Sequence, residues 1–133
     1  MAHYLLDTNH ASPLVTLHHP LRKKVLAAWA AGDEFSLCVP VLCETLFGIS
    51  VLPRAVANRA EWQQLRQRLT CYQVEEIDAE YAVGLQLSLR AKGRQLEMAD
   101  ALIAAIAIRY ELILLTRDGD FDPITQLKRE NWR

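Results

Sequence analysis

Short, wholly apolar runs alternate with longer segments of helical periodicity along this chain. Residues 4–6 form the first apolar run, too short for a helix and placed like a buried strand. Residues 21–31 follow Pro20 and repeat apolar side chains at helical spacing through Leu21, Val25, Leu26 and Trp29, with Gly32 as the stop. A second strand is predicted over 35–39, and Pro40 opens a helix to about residue 52. A charged amphipathic helix is expected over 54–69, with Val56, Trp62, Leu65 and Leu69 on its apolar face. A third strand over 72–77 is followed by Asp78 as the N-cap of a helix to about residue 92, which Gly93 ends. Residues 97–110 are apolar nearly all round, the pattern of a helix buried in a core. Residues 112–115 read as a fully apolar strand, and 118–133 as a polar tail anchored by Phe121, Ile124 and Trp132.

Short apolar strands between helices of ten or more residues predict an α/β fold, a mainly parallel sheet with helices on both faces. Ligands of such folds collect beyond the carboxyl ends of the strands, and the chemistry is sought there. The 133 residues contain no repeat and no linker-like tract, so 1–133 is expected to be one domain. A net charge of -1 excludes attachment to nucleic acid by a large basic excess alone. The apolar run 101–108 is far short of the roughly 20 residues a spanning helix needs, and the first residues lack a secretory leader pattern. Cys38, Cys43 and Cys71 are odd in number, form no CxxC pair and lie among apolar neighbours. They read as buried free thiols in a reducing cytoplasm.

Two acids fall at strand ends: Asp7 directly after 4–6, and Asp118 shortly after 112–115. If those strands are parallel members of one sheet, both carboxylates emerge at one edge. Two more acids, Glu44 and Asp100, lie within the first two turns of otherwise apolar helices, near the same rim. Taken singly, each has an ordinary role: Asp7 as a helix cap, Glu44 on an outward face, Asp100 as an N-cap, Asp118 as a turn residue. Taken together, they require four separate accidents at positions the fold makes adjacent. At about 4 Å and an effective dielectric of about 20, each like-charge pair costs roughly 4 kcal/mol. No lysine, arginine or histidine neighbours Glu44 or Asp100 in sequence, so a convergent cluster needs a cation. Oxygen-only ligands suit Mg2+ or Mn2+, ions that serve phosphate chemistry.

Four segments carry a family resemblance. Leu5-Leu6-Asp7-Thr8-Asn9 resembles the opening of PIN-domain ribonucleases, and Glu44-Thr45-Leu46-Phe47-Gly48-Ile49 their second motif. Asp100-Ala101-Leu102-Ile103-Ala104-Ala105 is similar to the third, and Leu115-Thr116-Arg117-Asp118-Gly119-Asp120-Phe121 to the fourth. Their order, spacing and total length resemble VapC-type toxins of bacterial toxin–antitoxin pairs, over nearly the whole chain. The resemblance implies a three-layer α/β/α sandwich and an Mg2+- or Mn2+-dependent endoribonuclease. It also implies a homodimer, and inhibition by a small cognate antitoxin inserted into the acidic groove. Asp7, Glu44, Asp100 and Asp118 take the metal-site roles, with Asp120 sharing or replacing Asp118. Thr8, Asn9 and Thr116 are expected to support the carboxylates by hydrogen bonds. The stretch His10-Ala11-Ser12-Pro13 departs from the commoner family pattern, which implies a changed first helix.

The remaining chemistry is secondary. His18 and His19 lack the i, i+4 spacing of a helical metal pair and read as surface residues. His3 and His10 flank Asp7, and a structural imidazole is favoured over a catalytic one. Arg90, Lys92, Arg94 and Arg117 are candidates for RNA backbone contacts, while the other basic groups read as solvated helix faces. Three rival functions stand beside the ribonuclease. A phosphatase or phosphotransferase with an aspartyl nucleophile commonly needs a second aspartate two residues after the first, where this chain has Asn9. A non-catalytic metal-binding module in a repressor complex and a DNA nuclease are the others.

Overall fold

In the computed structural model, which describes residues 1–133, five parallel strands form a single sheet in the order β3-β2-β1-β4-β5. These are β1 (His3–Leu6), β2 (Glu34–Cys38), β3 (Thr70–Tyr72), β4 (Ile113–Leu115) and β5 (Arg129–Glu130). The helices are α1 (Thr8–Ala11), α2 (Pro20–Ala30), α3 (Val39–Ser50), α4 (Ala55–Arg66), α5 (Glu76–Arg90) and α6 (Met98–Arg109), with 3-10 turns at Ser12–Val15 and Gly119–Phe121. No helix is long and apolar enough to cross a membrane.

The chain steps from β1 outward to β2 and β3, then crosses back to place β4 on the other side of β1. Parallel crossovers are right-handed almost without exception, so this reversal puts α5 and α6 on the face opposite α2 to α4. The two layers pack internally, α5 against α6 and α3 against α4. β1 and β4 flank the point where the strand order reverses, the place where open α/β sheets bind ligands. Leu6 pairs with Leu115 in register, and the Asp7 N–H continues the ladder to the Leu115 carbonyl at 3.0 Å.

The core confirms the expected pattern where burial is two-sided. Leu5, Leu6, Leu37, Leu114 and Leu115 are inaccessible, as are Ile103, Ala104 and Ile106 of α6. The helix α3 turns Val41, Thr45 and Ile49 inward at four-residue spacing, which leaves Glu44 exposed at its flank. Glu44 is therefore not an acid inside a core helix.

Other expectations are corrected. The strand expected over 72–77 is shorter and earlier, because α5 already begins at Glu76. Its N-cap is Glu75, not Asp78. The Glu75 side chain accepts from the N–H of Asp78, and the Asp78 carboxylate accepts from the Glu75 N–H at 2.9 Å, a reciprocal capping box. Asp78 is buried as the third residue of the helix, and Arg109 of α6 donates to both its oxygens at 2.8 and 2.9 Å. Val56 is 88% exposed, so α4 buries Trp62 and Leu65 as expected but not Val56. Of the cysteines only Cys38 is buried, with burial pushing its thiol up to about 12, whereas Cys43 is exposed. The tail adds an edge strand, β5, that its polar sequence does not announce.

The fit of β4 between β1 and β5 makes the central strands sensitive to lost volume. Leu114→Ala should lower the unfolding free energy by about 2–5 kcal/mol. Urea denaturation should show a lower midpoint with an unchanged slope.

Candidate metal centre

Asp7 leaves β1 and caps α1: its Oδ1 accepts from the Thr8 N–H at 2.8 Å. Only 6% of the residue is exposed, and its other oxygen is held from the neighbouring strand end. Thr116, the residue after β4, donates its hydroxyl to Asp7 Oδ2 at 2.7 Å. Asn9 Nδ2 donates to the same oxygen at 3.3 Å and to Thr116 Oγ1 at 3.4 Å. The Asp118 N–H donates to Thr116 Oγ1 at 3.0 Å, so one hydroxyl braces both strand-end acids. Asp118 in turn caps the 3-10 turn Gly119–Phe121, accepting from the Asp120 N–H at 2.9 Å. Buried Phe121 pins that turn to the core.

One carboxylate oxygen from each of Asp100, Asp118 and Asp120 lies within 4.8 Å of the others. Asp100 is in the first turn of α6, half-buried, while Asp120 is exposed. Asp7 and Glu44 stand outside this tight trio but within its electrostatic reach. The Asp100 carboxyl is pushed up to about 7, first by burial and then by Asp7, Asp118, Asp120 and Glu44. Burial raises Asp7, with Asp118 adding to the rise against the lowering effect of its hydrogen bonds. Glu44 is raised by burial and by Asp7. None of the five ion pairs in the protein includes any of these five acids. An uncompensated, oxygen-only set of this kind fits a hard divalent cation such as Mg2+ or Mn2+.

The supporting residues divide. Thr116 and Asn9 bond the carboxylates as described, but Thr8 serves through its backbone only. Its hydroxyl is buried without a partner, as is that of Thr45 on α3. Arg117 is exposed at the rim, and its N–H donates to Asn9 Oδ1 at 3.2 Å. Arg90, Lys92 and Arg94 are exposed in the approach to α6, with no hydrogen bond or ion pair to the acids. His18 is exposed, and His19 caps α2 by accepting from the Leu21 N–H at 3.1 Å. His10 is wholly buried beside Asn9, a placement that its position three residues after Asp7 hints at and its chemistry does not.

Residues 4–126 match the PIN domain family. Ribonuclease VapC4 of Mycobacterium tuberculosis is 32% identical over 93 residues, 68% of this chain and 72% of the relative. The structure of VapBC2 from Rickettsia felis, bound to a promoter DNA fragment, superposes with a TM-score of 0.84 at 26% identity. That match covers 98% of this chain and 99% of the other. DNA-bound VapBC from Salmonella typhimurium matches in fold with a TM-score of 0.83 at 20% identity, covering 100% of both chains.

The raised Asp100 carboxyl has a consequence for stability. The folded protein holds that proton more tightly than the unfolded chain, so its contribution is present at low pH and is lost as pH rises towards and through about 7. Without divalent ions, the melting temperature should fall between pH 5 and pH 8, and Asp100→Asn should flatten that fall. Mg2+ or Mn2+ should raise the wild-type melting temperature more at pH 8 than at pH 5, because binding competes with protons. Thermal melts across this pH range, with and without EDTA, test all three outcomes.

Proposed function

The chain belongs to the PIN domain family and, within it, to the VapC proteins, and on that premise we propose that it is a metal-dependent endoribonuclease, the toxin of a toxin–antitoxin pair. The observation that carries this reading is the uncompensated charge at the carboxyl ends of β1 and β4. There Asp100, Asp118 and Asp120 gather, with Asp7 and Glu44 in electrostatic reach. It is supported by a relative named as a ribonuclease and by solved neighbours that are VapBC assemblies.

In this reading Asp7, Asp100 and Asp118 hold Mg2+ or Mn2+, and Asp120 offers a further carboxylate beside Asp118. A divalent ion bound there lowers the pKa of a water and stabilises charge on the phosphoryl oxygens. Glu44, exposed with a raised carboxyl, either completes the ligand set or takes the proton of the attacking water. Thr116 and Asn9 hold Asp7 by its Oδ2, so the acid keeps one orientation while the substrate arrives. Arg117, and more remotely Arg90, Lys92 and Arg94, supply the basic rim that draws a polyanion towards an acidic centre. Asn9, donating to Asp7, stands where a phosphotransferase needs its second aspartate, which weighs against that rival.

The proposed protein partners are a cognate antitoxin and a second copy of the chain. Exposed apolar side chains support a role in an assembly: Phe47, Val51, Leu52 and Val56 around the end of α3 and the start of α4, and Ile77, Val83 and Leu87 on α5.

Purified protein, freed of antitoxin, should cleave labelled structured RNA with Mg2+ or Mn2+ and not with EDTA. Asp7→Asn and Asp100→Asn should each reduce the rate by more than the roughly 10–100-fold expected for losing an outer partner of a metal site. Equal cleavage by wild type and both variants would refute the acidic centre. Equal cleavage of DNA of the same sequence would refute the assignment to RNA.

A further inference from the structure

His10 lies outside the acidic cluster, yet its ring joins two parts of the chain that meet at the centre. Its Nε2 is 3.0 Å from the backbone nitrogen of Trp132, a group that can only donate. Nε2 is therefore the bare nitrogen and Nδ1 carries the proton. Nδ1 lies 2.7 Å from Asn9 Oδ1 and donates to it. The same oxygen accepts from the Arg117 N–H at 3.2 Å. With two donors fixing Oδ1, the Asn9 amide has one orientation, and its NH2 faces Asp7 Oδ2 and Thr116 Oγ1.

We propose that His10 is a positioning residue for the metal centre: as a neutral Nδ1–H imidazole it transmits the fixed position of the Trp132 backbone, through Asn9, to the carboxylate of Asp7. The proposal rests on the metal-site reading given above. The ring is fully buried, and burial together with Arg133, Arg117 and Lys24 holds its pKa down to about 4, so it stays uncharged at neutral pH. The far end of the relay is anchored. Arg133 donates to the Asn9 carbonyl at 2.8 Å, and the Trp132 ring meets Tyr4 of β1 edge-on at 4.9 Å between centroids. Trp132 and Arg133 thus brace the first helix. This gives a physical role to the segment whose sequence departs from the commoner family pattern. An apolar residue at position 10 would fill the space but would leave the Asn9 amide with one donor fewer and the Trp132 N–H unpaired.

The test is a double-mutant cycle read as Mn2+ affinity by electron paramagnetic resonance, with circular dichroism to establish folding. Asn9→Ala and His10→Leu should each weaken Mn2+ binding by roughly 10-fold, the low end for outer partners of metal ligands. The double variant should be no weaker than either single one, because both act through the same bond. Wild-type affinity in folded His10→Leu, or additive losses in the double variant, would overturn the proposal. Should His10→Leu not fold, Trp132→Pro and Trp132→Leu decide. Both lose the indole, but only the first loses the N–H, so Trp132→Pro should bind Mn2+ several-fold more weakly than Trp132→Leu. Equal affinity in the two would overturn the relay. Absence of Mn2+ binding by the wild-type protein would instead overturn the metal-site reading on which it rests.

Discussion

Everything at the candidate centre depends on β1 and β4 lying side by side and parallel, with Leu6 opposite Leu115. That register obliges the residues that follow the two strands to share one edge. Asp7 and Thr116 then meet at 2.7 Å, and Asp118 is drawn in through its N–H to the same hydroxyl. The approach of α6 adds Asp100, and the capped 3-10 turn adds Asp120. Packing thus assembles negative charge that electrostatics alone would disperse. The effect is felt at the carboxyl of Asp100, which burial first and then four neighbouring acids push up to about 7. Such repulsion is sustained by the buried strands beneath it, since Leu5, Leu6, Leu114 and Leu115 leave no room for the edge to splay.

Much of this was legible in the sequence for a simple reason. A strand buried on both faces is written as a short apolar run, and the acid that ends it marks the carboxyl edge. Asp7 and Asp118 stand out in that way, and the nearly all-apolar α6 marks Asp100 as an acid out of place. The burial of Glu44 is not legible, because apolar neighbours do not fix which face of a helix is buried: α3 buries Val41, Thr45 and Ile49, and Glu44 falls beside that stripe. The start of α5 at Glu76 is hidden in the sequence because Val74 and Ile77 mimic strand alternation while standing partly or largely exposed. The capping box between Glu75 and Asp78, backed by Arg109, outweighs that local pattern. The resemblance leaves Asp118 and Asp120 as sharing or alternative acids, and the turn that Asp118 caps brings both carboxylates near Asp100.

The polar support around Asp7 was only partly readable. Thr116 and Asn9 adjoin the motifs and were expected to help. The bond from Trp132 to His10 spans 122 residues, and no local pattern in either segment announces it. What the sequence does carry is the departure of the stretch His10-Ala11-Ser12-Pro13 from the commoner family pattern. The burial of His10 between two fixed partners explains why such a polar ring is tolerated in the core, since both nitrogens are satisfied.

The separation of these contacts along the chain also orders events in time. The hydrogen bond between Asp7 and Thr116 joins residues 109 apart, and the pairing of β1 with β4 spans a similar distance. A polypeptide made from its amino end carries Asp7 long before it acquires Asp118, Asp120 and the Trp132 N–H. Non-local pairing of this kind forms late in folding. The acids therefore come together only once β4 and the segment after it exist, so the topology itself acts as a timer on the assembly of the centre.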